Sequence, residues 1–335
     1  MNRVFSGIQP TGEMHLGNYL GAVRRWVSEA PISPENRSEA LYCVVDLHAM
    51  TVPYEPVEFA ERTRRTAMLL LAAGLDPERC VLFVQSHVSA HTELTWILNC
   101  IATYGELRRM TQFKDKGQGQ ESVSVGLLDY PVLMAADILA YDTTEVPIGD
   151  DQRQHLELAR DIAIRFNHRF GETLIVPKPT FPEVAARVKD LQNPSAKMSK
   201  SANSEAGQIL LVDPPSRIAK KIKSAVTDSL AVINYDPINQ PGVSNLLEIL
   251  SAATDRTVEQ TALELEGQGY GALKSQTADA VVALIEPLQM RLAELESDLD
   301  EVGRVLAAGA ERAQEIAVPV MERVRSATGL LPRLT

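Results

Sequence analysis

The chain predicts an α/β fold: a doubly wound parallel sheet followed by an all-helical region. Two observations carry this expectation. Through the first two-thirds, short apolar runs of β type alternate with segments of helical period, the rhythm of βαβ units. After about residue 205 the strand signal ends and helical patterns alone continue.

Arg3–Ile8 (RVFSGI) reads as the first strand and runs into the turn-rich Gln9-Pro10-Thr11-Gly12. Leu16, Tyr19, Leu20, Val23, Trp26 and Val27 then fall on one helical face. Leu41–Val45 (LYCVV) and Cys80–Gln85 (CVLFVQ) are continuous apolar runs, the form of strands buried on both faces. Phe59–Leu71 and Thr92–Tyr104 read as the intervening helices. Tyr130–Tyr141 reads as a helix, Val146–Ile148 as a short strand and Asp151–Phe166 as another helix. Ligands in such sheets bind at the carboxyl ends of the strands. In the second region Ile218–Ala225, Leu246–Ala252, Val258–Leu265, Leu273–Leu299 and Glu301–Ala327 read as helices. The polar stretch Ala196–Gly207 reads as a loop joining the two regions.

Composition narrows the function. The chain has 335 residues, 45% hydrophobic and 23% charged, an ordinary balance that argues against wholesale disorder. No apolar run approaches the ~20 residues of a membrane helix, and no apolar core of a secretory signal is visible near the start. A cytoplasmic protein without a membrane partner is expected. Cys43, Cys80 and Cys100 form no Cys-x-x-Cys, so zinc-ribbon and iron–sulfur ligands are lacking. Cys43 and Cys80 lie in apolar runs and read as buried thiols. A net charge of −11 argues against nonspecific coating of nucleic acid but leaves room for a local basic track facing one polyanion.

Two segments carry chemistry. Pro10-Thr11-Gly12-Glu13-Met14-His15-Leu16-Gly17-Asn18 lies between the first strand and the first helix. Helix N-terminal amides there suit a phosphate. Gly17 lets a flat group approach the backbone, and His15 and Asn18 bear groups that bond phosphate or ribose oxygens. A turn whose histidine merely caps the helix fits the same residues. Lys197-Met198-Ser199-Lys200-Ser201 presents mobile ammonium groups beside small hydroxyls, suited to a flap over a polyphosphate. A solvated surface run fits the same residues, although this pentamer arises by chance in only about one chain in ten thousand of this length. No Gly-x-Gly-x-x-Gly is present, so a nicotinamide-dependent oxidoreductase lacks its fingerprint.

Together these segments resemble the HIGH and KMSKS signatures of class I aminoacyl-tRNA synthetases, with Asn18 in place of the second histidine. That variant, with Phe5-Ser6-Gly7-Ile8-Gln9-Pro10, Met134-Ala135-Ala136-Asp137-Ile138-Leu139, Gly149-Asp150-Asp151-Gln152-x-x-His155 and Lys223-Ser224-Ala225-Val226-Thr227-Asp228-Ser229, is similar to the tryptophanyl branch across nearly the whole chain.

The resemblance implies a Rossmann-like catalytic domain over 1–204 and a helical anticodon-binding domain over 205–335. It implies L-tryptophan, ATP and tRNA(Trp) as partners, Mg²⁺ arriving with the ATP phosphates, no protein-held metal, and a homodimer. By the same resemblance Gln9, Pro10, Thr11, Gly17, Asn18 and Asp150 line the ATP site, Gly149 and Asp151 sit at the ribose, and the backbone near Val188 meets adenine. Lys197, Met198, Ser199, Lys200 and Ser201 form the flap, and Lys116 is a further mobile lysine. His15, Asn18, Lys116, Lys197 and Lys200 are the implied catalytic group. Asp137 becomes the acceptor for the indole N–H, with Phe5, Gly7, Met134, Val146 and Ile148 around the ring. Tyr130, Gln152 and His48 lie toward the amino acid's ammonium and carboxylate. The basic phrases Arg217–Lys223 and Arg323–Arg325 are candidates for tRNA phosphates.

Overall fold

The computed structural model describes residues 2–29, 38–117, 122–149, 152–181, 188–198 and 205–332. The described strands are β1 (Asn2–Ile8), β2 (Ser38–Val44), β3 (Val81–Val84), β4 (Glu145–Pro147) and β5 (Lys178–Thr180). They form one parallel sheet in the order β3-β2-β1-β4-β5. The first four match the apolar runs of the sequence. β5 is a Lys-Pro-Thr triplet with no apolar signal of its own, recruited because its backbone pairs with β4. Strand order reverses between β1 and β4, which places the ligand crevice outside their carboxyl ends.

The helical run after β1 begins as α1 (Leu16–Asn18), passes through a π turn at Tyr19–Val23 and continues as α2 (Arg24–Glu29). Next come α3 (Asp46–Ala49), α4 (Pro56–Ala72), α5 (Ala90–Asn99), α6 (Tyr104–Leu107), α7 (Thr111–Gly117), α8 (Val125–Leu139) and α9 (Arg153–Phe170). The helical region holds α10 (Pro215–Lys223), α11 (Pro241–Thr254), α12 (Val258–Glu264), α13 (Tyr270–Ser297) and α14 (Leu299–Thr328). The single helix expected over Thr92–Tyr104 is two. Thr103 starts α6, its amide and hydroxyl donating to Glu106 Oε2 at 3.2 and 2.8 Å, and this cap forces the break after α5. α8 begins five residues before the expected start, because Ser124 Oγ accepts from Leu127 N at 3.2 Å.

Alternation along β2 divides the core. Ala40, Tyr42 and Val44 face one cluster, shared with α4, α11 and α13. Leu41, Cys43 and Val45 face the other, shared with α5, α8 and α9. α14 belongs to both: Val302 and Leu306 pack in the first, and Ala313, Ala317, Val320 and Val324 in the second. It crosses the sheet at β3, the strand at one end of the order, where a Cβ on Gly309 would stand 1.9 Å from the Leu82 carbonyl oxygen. Helix backbone thus lies directly on strand backbone and covers an edge that would otherwise offer open hydrogen-bonding groups. Residues 299–328, the last helix of the helical region, return to the sheet in space.

Candidate active site

The turn after β1 delivers His15 to the head of α1, where it is buried and caps the helix. Its Nδ1 accepts from Asn18 N at 3.2 Å, and its own N–H donates to Asn18 Oδ1 at 3.3 Å. Capping and ligand binding are compatible here: a neutral ring that accepts at Nδ1 carries its hydrogen on Nε2, a donor matched to a phosphate oxygen. Gln9 and Thr11 are half-buried and Pro10 is buried.

Backbone pairing stitches this turn to the segment Ile209–Leu211, which follows the polar stretch Ala196–Gly207. Leu16 N donates to Ile209 O at 2.8 Å and Leu211 N to Met14 O at 2.9 Å. The start of the second motif folds back on the segment before it: Lys189 pairs antiparallel with Lys197, and Met198 N donates to Val188 O at 3.1 Å. Met198 is buried against the first motif. A Cβ on Gly17 would lie 3.5 Å from Met198 Cβ and 3.1 Å from His15 Nδ1. Two segments far apart in sequence therefore meet at the carboxyl end of β1, with Val188 buried and Lys197 exposed beside them. Ser199, Lys200, Ser201, Asp150, Asp151 and the Lys116 side chain lie outside the described residues. Gly149 follows β4 and is exposed.

A second centre forms around Asp137 on α8, which is 1% exposed. Gln85 Nε2 and His91 Nδ1 each lie 2.7 Å from Asp137 Oδ1, and His48 Nε2 lies 2.8 Å from Oδ2. The sequence leaves open an exposed or capping Asp at this position; the fold buries it and supplies three donors. Burial pushes the carboxyl up, but the charge of His48 and the hydrogen bonds from His48 and His91 outweigh it, so the carboxyl sits well below its ordinary range. His48, expected toward the substrate's ammonium or carboxylate, spends its Nε2–H on Asp137. The Tyr130 hydroxyl lies 2.7 Å from His155 Nε2 and 3.1 Å from Gln112 Oε1. Phe5, Val146 and Ile148 are buried in the core cluster that holds Ala136 and Ile138, Met134 and Gln152 are half-buried, and Gly7 is exposed at the end of β1.

Sequence reasoning missed Gln85, His91 and Tyr141. Gln85 ends an apolar run, His91 opens a helix and Tyr141 closes one. None carries a motif, and only the fold makes them neighbours. A groove of about 330 Å³ lies beside this centre, lined by Leu47, Thr51, Thr95, Trp96, Tyr130 and Leu133 among others. Among the described residues no group of three or more His, Cys, Asp or Glu is placed to hold a metal.

Comparison with known proteins places the chain in a family. Residues 1–286 match the family described as tRNA synthetases class I (W and Y). The chain is 53% identical over 335 residues to a tryptophan–tRNA ligase of Mycobacterium leprae, covering 99% of this chain and 97% of that one. It is similar to the crystal structure of a tryptophanyl-tRNA synthetase from Mycoplasma pneumoniae, with a TM-score of 0.89, 35% identity, and 99% and 98% of the two chains covered. It is also similar to one from Campylobacter jejuni complexed with ADP and tryptophan, with a TM-score of 0.82, 34% identity, and 98% and 100% covered.

Proposed function

The chain belongs to the tryptophanyl branch of the class I tRNA synthetases, and from that premise we propose how its residues divide the reaction. The enzyme activates L-tryptophan with ATP and transfers it to tRNA(Trp). A carboxylate oxygen of tryptophan attacks the α-phosphorus, the bond to the β-phosphate bridging oxygen breaks, and pyrophosphate leaves. A hydroxyl of the 3′-terminal ribose then attacks the acyl carbon, and AMP leaves. No protein nucleophile is required, so catalysis is positioning and charge stabilisation.

The observation that carries this reading is the meeting of Gly17 with Met198 outside the carboxyl end of β1. In our reading Gln9, Pro10, Thr11, Gly17 and Asn18 floor the nucleotide site. His15 and Asn18 donate to phosphate oxygens. The backbone at Val188 faces adenine, Gly149 and Asp151 hold the ribose, and Asp150 lines the same nucleotide site. Lys197, Lys200 and Lys116 neutralise the departing pyrophosphate, with Met198, Ser199 and Ser201 completing the flap. Mg²⁺ travels with the nucleotide as part of the substrate.

Asp137 accepts the indole N–H. Three donors occupy three of the roughly four acceptor positions of a carboxylate, and indole is donor only. Phe5, Gly7, Met134, Val146 and Ile148 surround the ring, and Tyr130, Gln152 and His48 stand toward the amino-acid group.

Two partners complete the proposal. A second copy of the chain is supported by Trp96, Tyr104 and Val125, large apolar side chains exposed at 73%, 65% and 78%. The anticodon is assigned to the helical region, with Lys220 and Lys223 exposed on α10, while Arg217 is set aside because it pairs with Glu205 at 2.6 Å. Arg323 and Arg325 are set aside from this role, because they pair with Asp142 and Glu93 at 2.5 Å. No described helix is long and apolar enough to cross a membrane, and a cytoplasmic setting belongs to the proposal. Amino-acid-dependent ATP–pyrophosphate exchange tests the whole reading. Tryptophan alone among the twenty should support exchange; exchange with tyrosine and none with tryptophan overturns it.

A further inference from the structure

We propose that Gln85, His91 and Tyr141 are positioning residues that aim a single acceptor lone pair of Asp137 at the substrate. The inference rests on the reading of Asp137 as the indole acceptor and explains how that acceptor is held.

Each donor of the cage is itself fixed. Gln85 Oε1 accepts from Leu47 N at 3.0 Å, which turns its Nε2 toward Asp137 Oδ1. Asp46 ties the two elements involved: its Oδ1 accepts from Leu47 N and Ser86 N, both at 3.0 Å, so the chain carrying His48 and the turn carrying Gln85 stay side by side. Tyr141 Oη lies 2.7 Å from His91 Nε2. A neutral imidazole has one N–H. The nitrogen facing a carboxylate takes it, so Nδ1 donates to Asp137 and Nε2 accepts from Tyr141. Burial pushes the Tyr141 hydroxyl well above its ordinary range and keeps it a donor. Gln85, His91 and Tyr141 are all completely buried, so water is no substitute for any of them.

The arrangement is asymmetric. Gln85 and His91 fill both acceptor positions of Oδ1. His48 takes one of the two on Oδ2. One position remains, and it has a fixed direction. The terminal torsion of an Asp is broad and roughly two-fold. Without the clamp on Oδ1 the carboxylate turns and re-pairs when a ligand lacks the donor. That softens the penalty for phenylalanine, because rejection depends on leaving a buried polar group unpaired.

The test uses the full-length enzyme and pyrophosphate exchange. Tyr141→Phe removes one oxygen and keeps the ring that stacks on Phe5 at 5.9 Å. It should raise KM for tryptophan about tenfold and lower the tryptophan-over-phenylalanine ratio by a similar factor, leaving KM for ATP within about twofold. His91→Leu should show the same split more strongly. His91→Asn, which places an amide nitrogen near the position of Nδ1, should recover part of it. Imidazole nitrogen chemical shifts of His91 should report Nδ1–H in the parent protein; the Nε2–H tautomer there overturns the proposal. So do Tyr141→Phe and His91→Leu variants that fold with the parent Tm and keep the parent KM and ratio. Should His91→Leu fail to fold, Tyr141→Phe and the parent's chemical shifts still decide. Asp137→Asn, run alongside, separates the two claims. An unchanged ratio in Asp137→Asn removes the acceptor reading itself. A collapsed ratio there, with parent-like Tyr141→Phe and His91→Leu, removes the positioning role alone.

Discussion

Asn245 of α11 holds both backbone groups of Lys189: its Oδ1 accepts from Lys189 N at 2.8 Å, and its Nδ2 donates to the Lys189 carbonyl at 3.1 Å. Lys189 follows Val188 and pairs with Lys197, so a side chain of the helical region grips the base of the flap. Asn245 is 3% exposed, and its loss leaves a donor and an acceptor without that partner. Asn245→Ala should cost about 1–3 kcal/mol. Thermal unfolding checks the stability. Exchange kinetics should show kcat falling more than the affinity for tryptophan; a parent-like kcat would remove the link between Asn245 and the flap.

Gly17 reports how closely the two motifs pack. A Cβ there meets His15 Nδ1 at 3.1 Å and Met198 Cβ at 3.5 Å, so the cap must yield by a few tenths of an ångström. Gly17→Ala should raise KM for ATP several-fold, on the order of 1 kcal/mol of lost binding. KM for tryptophan should stay near that of the parent, and a rise confined to tryptophan would contradict the placement of the nucleotide.

Gly309 answers to stability rather than chemistry. The nearest atoms to its Cβ would be the Leu82 carbonyl oxygen at 1.9 Å and carbon at 2.8 Å, backbone that has no rotamer to change. Gly309→Ala should push α14 off β3 and cost about 1–3 kcal/mol or more. A lower Tm and faster amide exchange in Val81–Val84 are the expected readouts.

Asp137 predicts a pH dependence of known sign. Its carboxyl is depressed in the folded protein: burial opposes ionisation, but His48 and His91 overcome it. A depressed carboxylate stabilises the fold above its unfolded value, near ~3.9, and loses that contribution as pH falls toward its folded value. The Tm difference between the parent and Asp137→Asn should therefore shrink as pH falls below about pH 4. A difference that grows in acid would reverse the sign and contradict the assignment.

Much of the scaffold was legible in the chain itself. β2 and β3 read as buried runs because every residue must be apolar when both faces are covered, and the long helices read from one-sided periodicity. The Gly17 and Met198 segments were legible because short local chemistry defines them. β5 was not, since three residues of mixed character join the sheet through backbone pairing, which carries no side-chain signature. The partners of Arg323 and Arg325 were equally hidden, as a basic residue looks the same in sequence whether it faces RNA or an acid.

Tertiary structure alone decided what surrounds Asp137. Residue types that end a strand, open a helix and close another became a buried clamp because four separate elements converge there. It also sent α14 back across β3, a course that helical periodicity does not encode. Local pattern records which face of an element avoids water; which faces then meet is settled by packing, where shape, backbone approach and the cost of unpaired polar groups are satisfied together.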